Sequence, residues 1–85
     1  MEIEFIWDAE KEELNVAKHG VRFESAQQVF FDPYLLVVED REMDDEMRYH
    51  AIGHTAAGPL LLTVFVDRSD DKKEIIRLIS AGELP

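Results

Sequence analysis

The chain has 85 residues, 46% of them hydrophobic, and no Cys. That describes one small domain with a modest core, and it excludes a disulfide framework, a thiolate nucleophile and a Cys-based zinc site. Nineteen acids against nine Lys and Arg give a net charge of −10, a field that repels phosphate polymers and favours a basic partner unless cations cluster locally. The chain opens with no basic-then-apolar leader and has no apolar run of about 18 residues, so it reads as a soluble protein. The lack of Cys agrees with a cytoplasmic setting.

Residues 2–7, EIEFIW, alternate acid and apolar, which predicts a strand with one buried face. Asp8 fits a helix N-cap, and Glu10, Glu12 and Glu13 suit the positive start of a helix over residues 9–18. Leu14, Ala17 and the stem of Lys11 form its expected inner stripe. Lys18 and His19 suit the negative helix end, and Gly20 is the expected left-handed residue after it. A second helix is expected from residue 23 or 24 to residue 31, with Ala26, Val29 and Phe30 at helical spacing and Asp32-Pro33 ending it.

The remainder reads as strands. Residues 34–40, 47–55, 60–68 and 74–81 are β-rich, and polar turns separate them at 42–46, 56–59 and 69–73. Gly53 is expected to mark a bulge, and the very apolar stretch 60–68 a central strand. Short connections favour an antiparallel meander. The order β-α-α-β-β-β-β predicts an α+β domain with two helices packed on one face of an antiparallel sheet.

Few residues carry recognisable chemistry. A calcium loop starting at Asp40 needs Gly sixth and Glu twelfth, but Asp45 and Ala51 stand there, so the acidic run reads as a hairpin turn. His50 and His54 would lie roughly 13 Å apart along one strand face, too far to share a metal ion whose ligands sit at about 2 Å unless Gly53 bulges sharply. Either imidazole alone suits acid–base work, though a strand His is the plainer reading. Ser25, Ser69 and Ser80 sit in no nucleophile elbow, and no Gly-rich phosphate loop occurs. Arg48, Arg68 and Arg77 lie in or at the end of apolar strands. Each is either paired with an acid, the simpler reading, or displayed on a sheet face where three guanidinium forks converge on one phosphodiester.

One ordered set of residues goes further. Phe5, Trp7, Asp8, Lys11, Asn15, Lys18, His19, Gly20, Val21, Phe23 and Ala26 are followed by EMRYHAIGHTAAGPLLLTVFVDR at 46–68 and IIRLISA at 75–81. This pattern resembles the BrnT-type toxins of bacterial type II toxin–antitoxin pairs, small ribonucleases with a RelE-like fold, and it spans nearly the whole chain. The resemblance implies a cytoplasmic endoribonuclease that cleaves RNA without a metal or organic cofactor and so inhibits translation. It implies internal attack of a ribose 2′-OH on the adjacent phosphate. It also implies a BrnA-type antitoxin as partner in a toxin–antitoxin hetero-oligomer. By position, it makes Arg48, Arg68 and Arg77 the phosphate-stabilising cations. Lys18 and His19 become a helix-end pair facing them, and Glu24 a further candidate. His19 is the expected base or acid, with His50 as second choice.

Three features depart from the family pattern. Gly82 stands where an Arg usually follows Ser-Ala, and the sequence stops at Pro85 where a charged C-terminal helix is expected, so a single domain lacking that helix is implied. Pro59 follows the turn Gly58 where a basic residue is common. Together with the charge of −10, these motivate a rival reading: a catalytically attenuated interaction module that binds a basic antitoxin-like segment and leaves RNA intact.

Overall fold

Asp8 sets the first helix. In the computed structural model, which describes residues 2–85, its Oδ1 accepts a hydrogen bond from the Lys11 amide at 3.0 Å, satisfying one of the free N–H groups of the first turn. The helix, α1, runs Ala9–His19 and stops at Gly20, whose φ of 72° is the left-handed conformation glycine adopts cheaply. Before it lies β1 (Ile3–Ile6). After it come α2 (Phe23–Ala26), a 3-10 segment (Gln27–Phe31), β2 (Leu36–Met43), β3 (Glu46–His54), β4 (Leu60–Asp67) and β5 (Glu74–Glu83). This is the expected α+β order.

The sheet order is β1-β5-β4-β3-β2. From β2 to β5 it is the expected antiparallel meander, but β1 runs parallel to β5, with Ile3 opposite Glu74 and Ile6 opposite Arg77. The sheet is therefore mixed. Asp44 and Asp45, both at positive φ, close the two-residue turn between β2 and β3.

Three local expectations are corrected. Instead of one helix to residue 31, a single α-helical turn passes into the 3-10 segment. Phe23, Ala26 and Val29 are fully buried, and a three-residue spacing lines one face of a helix with three residues per turn. The inner stripe of α1 also differs: Leu14 is 70% exposed, and the buried residue is Asn15. The reason is polar. β5 extends past the end of β1, and the Asn15 side chain takes the place of a neighbouring strand there. Its Nδ2 donates to Ala81 O at 2.9 Å and its Oδ1 accepts from Ala81 N at 3.0 Å. Nδ2 also donates to Val21 O at 2.9 Å, which fixes the chain after the helix. Finally, Gly53 marks no bulge, because the β3–β4 register runs unbroken from Arg48 to His54. The irregularities fall instead between Glu39 and Glu42 and between Val64 and Phe65, where Ile79 is the extra residue of β5.

Gly53 is required by a close approach. A Cβ there would lie 3.0 Å from Val29 O and 3.3 Å from the Asp32 side chain. Gly53→Ala is expected to destabilise the domain by about 1–2 kcal/mol, since the 3-10 segment must shift to admit the methyl. Urea titration followed by circular dichroism measures this. Gly82→Ala is a control, because its methyl would meet the His19 ring at an ordinary 3.4 Å.

The core lies on one sheet face. Phe23, Ala26 and Val29 pack against Ala51, Leu61, Phe65, Ile76, Leu78 and Ala81. Phe30 bridges Phe5 and Phe65 at ring distances of 5.3 and 5.0 Å, tilted against the first and edge-to-face with the second, which adds to the burial. α2 and the 3-10 segment lie on this side, and α1 is seated at the edge of β5 through Asn15, so among the described residues the opposite face carries no helix over β3 and β4, with His19 of α1 reaching it only at Gly82.

Candidate functional site

Strand alternation decides what the uncovered face carries. Ala51, Phe65 and Leu78 point into the core, so Arg48, Val66 and Arg77, each an odd number of positions away, point outward. Arg48 pairs with Val66, and Val66 pairs with Arg77. The two arginines thus flank one valine in a single row, about 10 Å apart at their Cα atoms. Val66, between them, is only 4% exposed.

The third arginine joins them from just past β4. Its amide donates to Ile75 O at 2.9 Å, which holds the chain beside β5. Its guanidinium grips Glu46 through two bonds, Nε to Oε2 at 2.6 Å and Nη2 to Oε1 at 2.9 Å. These bonds, followed by the fields of Arg77 and Arg48, hold the Glu46 carboxyl below the usual carboxylate range. The same hydrogen bonding pushes the Arg68 guanidinium up. All three arginines therefore act on one carboxylate. The ion pairs among the described residues are Arg22–Glu13, His50–Asp40, Arg68–Glu46 and Lys73–Glu4. Arg68 thus follows the simple pairing expectation, while Arg48 and Arg77 have no carboxylate partner among the described residues.

His50 shares this face, two positions along β3 from Arg48. Its Nε2 lies 3.3 Å from Asp40 Oδ2, with both side chains about a third exposed. Val38 stands opposite His50, and Asp40, two residues on, shares that face by alternation.

The helix-end pair lies farther along β5. Lys18 and His19 line a shallow depression with Lys11, Asn15, Ile79 and Ser80, and the His19 ring rests against Gly82. Gly82 is five positions beyond Arg77 on β5, on the order of 15 Å along the strand. Gly82 pairs with Leu62 and Arg77 with Val66, four residues apart on β4, so His19 reaches the same face as the arginines but stands about 15 Å along it from them. Glu24 is exposed in the first turn of α2, on the helical side of the sheet. The acid that serves that turn is Glu12, whose Oε2 accepts from the Phe23 amide at 2.9 Å.

His54 has a local role. Its amide donates to Asp32 Oδ2 at 2.7 Å and its Nδ1 lies 2.8 Å from Gly58 O. Amide hydrogen bonds from His54 and Tyr34 hold the Asp32 carboxyl below its ordinary value. Among the described residues, no group of three or more His, Asp or Glu is placed to hold a metal ion, and no helix is long and apolar enough to cross a membrane.

Sequence reasoning gave no site role to Glu46, quoted only as the start of the 46–68 match, or to Asp40, and counted both in the acidic run read as a turn. The pattern Glu46-x-Arg48-x-His50 carried the signal, because alternate residues of a strand share a face.

Fold and site together define a small α+β domain with a row of arginines on a bare sheet face. The chain belongs to the family of ribonuclease toxins, BrnT, of type II toxin–antitoxin systems, whose family model matches residues 7–84. Its fold is similar to that in the 1.1 Å-resolution crystal structure of the Brucella abortus ribonuclease toxin, BrnT, with a TM-score of 0.67 at 22% sequence identity over 99% of each chain. No curated protein matches the chain in sequence at a significant level.

Proposed function

We propose that this chain is a metal-independent endoribonuclease toxin, RelE-like in arrangement, that inhibits translation in the cytoplasm and is restrained by a BrnA-type antitoxin. Within the family assignment, the observation that carries this reading is the Arg48–Val66–Arg77 row on an uncovered face, with His50 beside it. An RNA phosphate bound across the row receives N–H groups from two guanidinium forks. When the adjacent 2′-OH attacks phosphorus, the phosphoryl oxygens gain negative charge, and fixed cations stabilise that state more than the ground state. His50 accepts the 2′-OH proton, and Asp40 orients its ring and stabilises the imidazolium. The P–O5′ bond breaks as the bond from the 2′-oxygen to phosphorus forms, giving a 2′,3′-cyclic phosphate, and the 5′-oxygen leaves with a proton taken from water. Lys18 and His19, at the far end of β5, contact the RNA backbone away from the cut. Glu24 takes no part.

The test is incubation of the antitoxin-free protein with RNA in the presence of a chelator. Cleavage leaving 2′,3′-cyclic ends is expected; intact RNA at all protein concentrations overturns the enzymatic reading. A second reading, an attenuated module that binds a basic partner, is favoured by the edge strand β2. Leu36, Val37 and Val38 are exposed there, followed by the exposed acids Glu39, Asp40 and Glu42. That combination fits an aliphatic and basic chain segment. Tight calorimetric binding to the antitoxin encoded beside it, with RNA left intact, selects this reading.

A further inference from the structure

Glu46 is a carboxylate set among cations that face solvent. The strand register puts it there: Arg48 stands opposite Val66, so Glu46, two residues earlier, stands across from Arg68, two residues later. Both of its oxygens are engaged by the Arg68 fork. Two carboxylates on this face, Glu46 and Asp40, against three guanidinium groups leave the patch cationic, with Arg48 and Arg77 free of carboxylate partners among the described residues.

Such a carboxylate is a poor proton acceptor, because its neighbours favour the ionised form. Proton abstraction is therefore not its role. Two physical effects remain. The two-point grip fixes the Arg68 guanidinium, so its charge needs no reorganisation as the reaction proceeds. The negative charge also opposes phosphate binding on the same face, which weakens ground-state affinity without removing the cations that meet the extra charge of the transition state.

We propose that Glu46 is a positioning residue that fixes Arg68 beside the Arg48–Arg77 pair and acts as a built-in anion limiting how tightly this face holds RNA. The inference rests on the RNA-cleaving reading above. It differs from a structural salt bridge in one respect: it moves substrate affinity and turnover in opposite senses.

The experiment uses the full chain and two probes. One is an RNA oligonucleotide methylated at every 2′-oxygen, which binds but lacks the nucleophile; the other is the same oligonucleotide unmodified. Glu46→Gln keeps the shape and removes the charge. It is expected to bind the methylated probe about fivefold more tightly at low salt, the difference shrinking as salt is raised. On the unmodified RNA, KM falls while kcat drops about tenfold. Glu46→Asp keeps the charge but shortens the reach to Arg68, so kcat drops with probe affinity unchanged. Melting curves establish that both variants fold. A parent protein that binds neither probe overturns the RNA reading and this inference with it. A parent that binds, with a Glu46→Gln variant that binds no tighter, overturns the inference alone.

Discussion

Replacing Asn15 with Leu is expected to remove about 4 kcal/mol of stability, a large part of what a domain of this size possesses. The side chain is buried and makes three hydrogen bonds, two to Ala81 and one to Val21. Leu fills a similar volume but leaves one N–H and two C=O groups without partners. Each buried orphan costs roughly 1–3 kcal/mol, and some recover water because the strand end is near the surface. A domain of this length holds on the order of 4–13 kcal/mol in all. Asn15→Asp is expected to be damaging too, since it retains the acceptor for the Ala81 amide but loses both donated bonds. Urea titration at neutral pH measures both variants. A Leu variant within 1 kcal/mol of the parent would show that water or a shifted helix replaces the side chain.

The other large effect belongs to chemistry. Arg77→Ala is expected to slow RNA cleavage by about 10²–10³-fold, the usual consequence of losing one preorganised donor to a developing oxyanion. Melting should change little, because Arg77 has no ionic partner among the described residues. Arg77→Lys keeps the charge but not the planar fork, so an intermediate rate is expected. If Arg48 and Arg77 clamp the same phosphate, the double Ala variant loses less than the two single losses combined. Initial rates on a defined RNA, beside melting curves, decide this. Cleavage by Arg77→Ala at the parent rate would place the reacting phosphate elsewhere.

What could be read from the sequence was governed by distance along the chain. The Asp8 cap and the Gly20 stop involve near neighbours, and both were legible. The buried face of α1 was not, because Asn15 is buried for a partner 66 residues away. Hydrophobic spacing selected Leu14 instead, which lies in solvent. The antiparallel meander followed from short turns, whereas the parallel pairing of β1 with β5 has no local signature at all. The arginines were visible as residues that do not belong in apolar strands. That Arg48 and Arg77 share a face depended on register, which a one-residue slip would have reversed. Glu46 and Asp40 were hidden by their neighbours, since a run of acids reads as solvated turn until alternation assigns each to a side.

The β1–β5 pairing bears on when this protein can exist at all. Ribosomes make β1 first and β5 last, and Ile3 finds its neighbour only at Glu74. Until β5 emerges, the opening strand has no ladder to join and α1 has no seat, because Asn15 awaits Ala81. Contacts so distant in sequence form late and slowly. Arg77 lies in that same last strand, so the arginine row is completed by the segment that completes the fold. A nascent chain therefore lacks the completed arginine row until β5 has emerged.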